Sequence, residues 1–445
     1  MTVLAVVLLI GLLVLLISWG RVPPFAAFLA IALLAALCFG MPLNDIGKSV
    51  ERGIGEMLGG LAAIICLGAM FGRTIADSGA ARSIADALIG AAGDKFILIA
   101  LALTGLIVGI PLFYSVGFVV LVPLIFSLSA HMKLPAVYVG IPLLCGLSVS
   151  HGFLPPHPSP SALVHLFCAD MGITLIYGMI VGGITVMIAG PMLASALKGI
   201  APRNERRSPA PLADVNQPGG SLPGAWNSCS TALLPVALLA LTTAVAYLPN
   251  APAQFKSIAA FVGQPTVALL LSLIYATVSL GIARGVSFKT LVQAQGASLQ
   301  EVAGILLILA GAGALKQVFV DAGVNDQLAA WLQTLALPPL MLGWLIAVVI
   351  RIALGSATIA GLTAAGIVAP LVANSSVNPN LMVLAIGAGS LMCSHVNDAG
   401  FWLFKEYFNL DLRDTFRSWT TMESLAGVVG LLCVLALDLI LSRMG

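Results

Sequence analysis

The chain has 445 residues, of which 20 are Lys or Arg and 18 Asp or Glu, so charged residues make up 9% of it, against roughly 25% in an ordinary soluble domain. Hydrophobic residues reach 60%, Gly adds 46 more and mean hydropathy is +1.07, which leaves too little polar surface to cover a water-soluble fold of this length. The net charge of +2 and the lack of a long basic run exclude nucleic acid as a partner; the partner that remains for most of the surface is the lipid bilayer.

In chain order, residues 3–20 are almost wholly apolar, with no charged segment before them and no small-residue cleavage site before Arg21, so a retained span is expected there rather than a leader peptide. Further stretches near the ~20 residues that cross a bilayer run over 22–40, 57–76, 135–151, 173–197, 228–248, 262–283, 301–320, 379–396 and 420–442, which makes ten expected full spans in an all-α polytopic membrane protein. Two other apolar regions, 95–130 and 337–373, break near the middle into arms that are short for a crossing. Each is expected to be a re-entrant hairpin, turning at Gly109-Ile110-Pro111 through Ser115 and at Gly355-Ser356-Ala357-Thr358, because exposed backbone at such a depth persists only where protein or a wet cavity satisfies it. The longest polar interval, 201–227, is rich in Pro and Gly and is expected to be a linker between two halves, 1–200 and 228–445.

An internal repeat relates those halves. An offset of 244 residues superposes Gly60 on Gly304, Asp77 on Asp321, Gly79 on Gly323, Leu147 on Leu391, Ser150 on Ser394 and His151 on His395. The first half then holds hairpin 95–130 and a broken helix at 135–160, and the second holds hairpin 337–373 and a broken helix at 379–400. An odd number of crossings separates equivalent points, so the halves are expected to be inverted relative to each other, the arrangement of many secondary transporters. With the linker inside the cell, most of the Lys and Arg fall on cytoplasmic loops, and the positive-inside rule puts both termini on the periplasmic side.

The polar residues at the interruptions are the candidate site. The two tips leave amide hydrogens free at helix starts, where an anion is favoured. Ser150-His151-Gly152-Phe153-Leu154-Pro155-Pro156-His157-Pro158 cannot continue as a helix, and its counterpart Ser394-His395-Val396-Asn397-Asp398 gathers a histidine, an amide and a carboxylate. His151 and His395 either serve function or hydrogen-bond carbonyls freed by the breaks. Asp398 either acts directly or caps the helix that follows. Arg351 either neutralises a substrate carboxylate or pairs with an acid or a helix C-terminus. Asp77 and Asp321, each ahead of a Gly, are expected to be caps. The seven cysteines, odd in number and without a Cys-x-x-Cys pair, indicate neither a disulfide framework nor a metal cage, and no cofactor is expected. An intramembrane hydrolase built on Ser150 with His151 or His157 is disfavoured, since neither Gly-x-Ser-x-Gly nor His-Glu-x-x-His is present; a carrier rather than an enzyme is expected.

The strings His151-Gly-Phe-Leu-Pro-Pro-His-Pro, Lys316-Gln-Val-Phe-Val-Asp-Ala-Gly, Arg351-Ile-Ala-Leu-Gly-Ser-Ala-Thr and Ser394-His-Val-Asn-Asp-Ala-Gly-Phe-Trp-Leu-Phe-Lys-Glu-Tyr-Phe resemble the gluconate permease (GntP) family over nearly the whole chain. The resemblance implies a bacterial inner-membrane gluconate:proton symporter of the ion-transporter superfamily, with two inverted repeats, a homodimer and an elevator-like cycle; relatives carry other sugar acids or D-serine. One departure stands out. The family pattern Phe-Tyr-Glu-Val-Gly-Phe reads Phe113-Tyr114-Ser115-Val116-Gly117-Phe118 here, which removes an intramembrane acid from the first tip and leaves the proton route open. The expected substrate site comprises Tyr114, Ser115, Ser150, His151, Gly355, Ser356, Thr358, His395, Asn397 and Asp398, with His151, His395 and Asp398 as the titratable groups for coupling. A sodium-coupled carboxylate carrier of the same fold, with sodium held by tip carbonyls and hydroxyls, is the alternative.

Overall fold

The computed structural model describes residues 2–200, 221–246, 248, 252–324, 337–373, 376–396 and 398–444. Among them every regular element is helical. The first half holds α1 (Thr2–Ser18), α2 (Pro24–Cys38), α3 (Leu43–Asp77), α4 (Ala80–Ala92), α5 (Ile97–Gly109), α6 (Tyr114–Met132), α7 (Ala136–Phe153), α8 (Pro158–Leu166) and α9 (Met171–Ala196). The second holds α10 (Ala225–Ala246), α11 (Ala253–Val262), α12 (Pro265–Arg284), α13 (Phe288–Asp321), α14 (Pro339–Leu354), α15 (Ala357–Ala373), α16 (Pro379–Leu391), α17 (Ala399–Tyr407) and α18 (Leu412–Arg443).

Local chemistry sets these boundaries. Pro24, Pro158, Pro265, Pro339 and Pro379 open helices at positions where the missing N–H costs nothing. Asp170, Ser287 and Asn378 cap theirs with side-chain oxygens. Gly355 ends α14 at φ +76°, a left-handed conformation that a Cβ would strain.

Six helices, α3, α7 with α8, α9, α12, α13 and α18, are by themselves long and apolar enough to cross a bilayer among the described residues. The other expected spans are helical over α1, α2, α10 and α16. Both hairpin regions form two helices around a short turn, at residues 110–113 and 355–356. The polar interval at 201–220 lies outside the described residues, and α10 begins at Ala225, before the expected end of the linker.

Two helices start well ahead of their expected positions. Their apolar parts begin near 57 and 301, but α3 runs for 35 residues from Leu43 and α13 for 34 from Phe288. At a rise of ~1.5 Å each is about 50 Å long, more than the ~30 Å hydrocarbon core. Their N-terminal parts carry Asp45, Lys48, Glu51, Arg52 and Glu56, or Lys289, Gln293 and Glu301, polar and charged residues that lower hydropathy without breaking the helix. These two helices pack along each other in opposite directions. Arg52 lies 3.6 Å from Asp321 at one end, and Gln295 donates to Thr74 Oγ1 at 3.1 Å at the other. Gly53 and Gly313 face each other at the crossing, where a Cβ on either would sit within 2.4 Å of the opposing carbonyl oxygen. Asp77 and Asp321 end α3 and α13 without capping them: Asp77 pairs with Arg73 at 2.8 Å, and Asp321 accepts from Gln317 at 2.9 Å.

The hairpins are held by the broken helices. Both α5 and α6 pack on α7, and both α14 and α15 pack on α16. The short helix after each break crosses to the other half's hairpin: α8 packs on α15, and α17 reaches α6 through Tyr407 against Phe118, ring centroids 5.3 Å apart, and Phe408 against Phe126 at 5.4 Å.

Candidate functional site

The second break is organised by Arg351. Because α14 stops at Gly355, the side chain one turn earlier lies beside the open end of the helix, where a cation is favoured. Its guanidinium donates to the Gly355 carbonyl oxygen and to Asp398 Oδ2 at 2.6 Å. Arg351 is only 3% exposed, and its Nε has no partner. Of the two roles left open for it, Asp398 takes that of the cap, and it also pairs with Arg351. Its Oδ1 accepts from the Gly400 amide at 3.0 Å, capping α17, while Oδ2 also accepts from the Ser394 hydroxyl. Ser394 in turn accepts from Trp419 Nε1 at 2.7 Å, so α18 is tied to the break. His395 donates to the Ile352 carbonyl at 3.1 Å, and it therefore does what the backbone reading required. At the tip, Ser356 Oγ accepts from the Ile359 amide at 3.4 Å and the Gly355 amide donates to Arg351, so part of the expected set of free amides is already used. Thr358 sits half-buried in the first turn of α15.

The first break differs. Ser150 donates to the Leu106 and Gly146 carbonyls at 2.9 Å each, which fastens α7 to the first hairpin arm. His157, the weaker candidate in the sequence, donates to the Gly109 carbonyl at 2.7 Å and so holds the tip. His151 lies with its ring centroid 5.3 Å from that of His157, and its buried Nδ1 has no partner. The Tyr114 hydroxyl is likewise buried and unpartnered, with its ring 5.8 Å from Trp419. Ser115 lies in the first turn of α6; its side chain and Asn397 fall outside the described residues.

Glycines bring these elements together. A Cβ on Gly105 would sit 1.9 Å from the Leu143 carbonyl oxygen, and one on Gly146 2.5 Å from that of Ala102. Between the halves, a Cβ on Gly387 would lie 2.4 Å from the Gly152 carbonyl oxygen. As a result the two breaks share one buried region. Tyr114 of the first tip lies against Trp419, the same side chain that donates to Ser394 in the second break. Behind the first tip, Ile110, Pro111, Phe113 and His157 face an apolar cleft of about 360 Å³, open mouth included.

Glu423 was absent from the expected site. It lies in α18 and is 2% exposed; its Oε1 accepts from Ser148 at 2.6 Å and its Oε2 has no partner. The signal was present in the sequence as an acid that, with Asp438, interrupts the apolar run 420–442, where an ionisable group is a functional candidate by default. Among the described residues no cluster of metal-ligating side chains occurs.

The sequence profile of the GntP family permeases matches residues 1–440. The high-affinity gluconate transporter of Escherichia coli is 44% identical over 98% of this chain and 99% of its own length. The L-idonate transporter of the same organism's Gnt-II system is 42% identical over 97% and 98%, and the gluconate permease of Bacillus subtilis 40% over 98% and 99%. In fold, the chain is similar to the YdaH transporter of Alcanivorax borkumensis, with a TM-score of 0.66 and 17% identity over 92% of this chain and 98% of that one. It is also similar to MtrF of Neisseria gonorrhoeae, with a TM-score of 0.69 and 13% identity over 93% and 94%. The lipid-facing composition, the paired hairpins and the full-length match lead to one conclusion: this multi-pass membrane chain is a permease, not an enzyme, and belongs to the GntP family.

Proposed function

We propose that the protein imports gluconate or a closely related sugar acid across the bacterial inner membrane by proton symport. The observation that carries this reading is Arg351, a buried cation at a hairpin tip whose counter-ion sits on the opposing helix break and whose Nε is still free. A planar guanidinium suits a carboxylate, and substrate would take the place of Asp398 on it. The polyol tail would then extend towards His151, Tyr114 and Thr358. Names of the relatives support the substrate class, since both gluconate and idonate are sugar acids.

We place this site in two inverted repeats with ten full spans and two re-entrant hairpins, termini periplasmic, in a homodimer working by an elevator-like movement. The opposite directions of α3 and α13, which the 244-residue offset equates, support the inversion.

The test is uptake of labelled gluconate into liposomes holding the purified protein, with an inward pH gradient, an inward sodium gradient, or neither. Accumulation with the pH gradient alone is expected. Accumulation only with sodium replaces the coupling ion, and failure of excess unlabelled gluconate to compete where D-serine does replaces the substrate.

A further inference from the structure

The buried region holds two carboxylates and one cation. Arg351 is committed to Asp398 at 2.6 Å. Glu423 is as deeply buried as Arg351 but receives only the Ser148 hydroxyl on one oxygen, and its other oxygen has no partner. Around it, α14 with Arg351 and α7 with Ser148 and Cys145 pack on α18, and Trp419 of α18 reaches Ser394 beside Asp398. Of the helices packed on α18, α7 also carries Tyr138 and His151, α17 carries Lys405, Glu406 and Tyr407, α9 only Tyr177 and α16 no titratable residue. Among the described residues the one Lys or Arg on these helices besides Arg351 is Lys405, and it pairs with Glu406 at 2.7 Å. An uncompensated carboxylate at that depth costs several kcal/mol, and a carboxylic acid avoids the cost by keeping its proton.

We infer that Glu423 and Asp398 form a proton store around Arg351, holding one proton in the empty carrier, on Glu423, and two when a substrate carboxylate occupies Arg351. Resting on the proton-symport reading above, this names the groups that carry the coupling. The charges balance at each stage. The empty site holds Arg351 as a cation, Asp398 as an anion and Glu423 as a neutral acid. When the substrate anion takes Arg351, Asp398 is displaced and binds one proton drawn from the side of entry, so the site stays neutral and one proton crosses with each substrate. On release the substrate departs as an anion, Asp398 gives up its proton to the same side and returns to Arg351. Ser115 then removes nothing essential from the cycle, because two acids remain where one cation has to be matched.

The store is redundant, and that makes it testable. With Asp398→Asn, Glu423 ionises to balance Arg351 in the empty carrier and binds the proton when substrate arrives. With Glu423→Gln, Asp398 does this alone. Because both acids belong to the site, each single variant is expected to transport more slowly yet still accumulate substrate on a pH gradient in liposomes, whereas Asp398→Asn/Glu423→Gln is expected to lose accumulation and keep gradient-independent exchange. Loss of accumulation in Asp398→Asn alone overturns the inference, and so does a double variant that accumulates as Asp398→Asn does. If the wild-type protein fails to accumulate gluconate on a pH gradient, the symport reading falls first and takes this inference with it; if the wild type succeeds and the variants disagree, only the inference falls.

A second measurement covers variants that do not fold. Infrared spectra of the empty wild-type protein at neutral pH are expected to show a protonated carboxyl stretch that moves to higher frequency in Ser148→Ala, as the hydrogen bond to Oε1 is lost. A spectrum unchanged by Ser148→Ala overturns the assignment of the resting proton to Glu423.

Discussion

Replacing Arg351 with Gln is expected to abolish gluconate uptake. Truncating one partner of a buried, hydrogen-bonded charge pair typically costs ~2–5 kcal/mol in binding, about 30-fold to several thousand-fold in affinity, and here the lost group is the buried cation that pairs with the second helix break. Stability falls as well, because Asp398 keeps only the Ser394 and Gly400 donors and loses its cation, and the Gly355 carbonyl loses the guanidinium; breaking a buried pair from one side costs about 3–5 kcal/mol unless the orphaned acid takes up a proton. The two losses are separable. Arg351→Gln/Asp398→Asn removes both charges and is expected to recover most of the thermal stability in detergent while uptake remains absent. Recovery of uptake in that double variant would show that the pair serves the fold and not the substrate. Arg351→Lys keeps the charge but cannot reach Gly355, Asp398 and a ligand through one fork, and an affinity loss of at least ~10-fold, seen as a smaller thermal shift on adding gluconate, is expected.

Gly105→Ala is expected to be nearly as damaging without touching a charge. The new methyl would lie 1.9 Å from the Leu143 carbonyl oxygen, and because backbone cannot rotate away, α5 has to move off α7. Overpacking of this kind costs typically 1–3 kcal/mol. The displacement also pulls Leu106 from Ser150 and Gly109 from His157, so the first tip loses its two fastenings to the break. Transport is therefore expected to fall further than stability alone accounts for. Gly117→Ala is the control, since its methyl meets the end of the Leu147 side chain at 2.8 Å, which a rotamer change relieves; near-normal uptake is expected. Equal loss in the two variants, measured as initial uptake rate per folded protein, would remove the role assigned to the α5–α7 contact.

Most of the architecture was legible because the bilayer imposes length and polarity on each crossing. The hairpin turns came out at Ile110–Phe113 and Gly355-Ser356, close to where Gly and Pro interrupt the apolar runs. What hydropathy hides is a helix that continues into water. The N-terminal parts of α3 and α13 are polar and charged, and only the structure joins them to the spans. The site was legible where chemistry was concentrated, as in the Ser394 to Asp398 string, but the assignment of roles was not. His157 rather than His151 holds the first tip, Ser150 is a fastening rather than an exposed hydroxyl, and Arg351, left between two readings, turns out to be the partner of Asp398. These outcomes depend on which atoms meet across 40 to 50 residues of chain, which spacing along the sequence does not encode. Glu423 was missed for the opposite reason. Two acids, Glu423 and Asp438, in a span of otherwise apolar residues leave the span prediction intact, so Glu423 attracts no notice until its burial is seen.

The opposed packing of α3 and α13 has a consequence for biogenesis. Thr74 meets Gln295 across 221 residues of sequence, and Arg73 meets Glu301 across 228. At a synthesis rate of ~5–20 residues per second, α3 waits roughly 11–44 s in the membrane before its partner leaves the ribosome. During that interval Gly53 has no Gly313 to close on it, and a polar face that ends up shared between halves is open to lipid or to other inserting proteins. The first half is thus a natural client for whatever holds unpaired helices at the insertion site. Ribosomes stalled between residues 200 and 280 are expected to carry the form of this permease most readily crosslinked to the insertion machinery and most readily degraded.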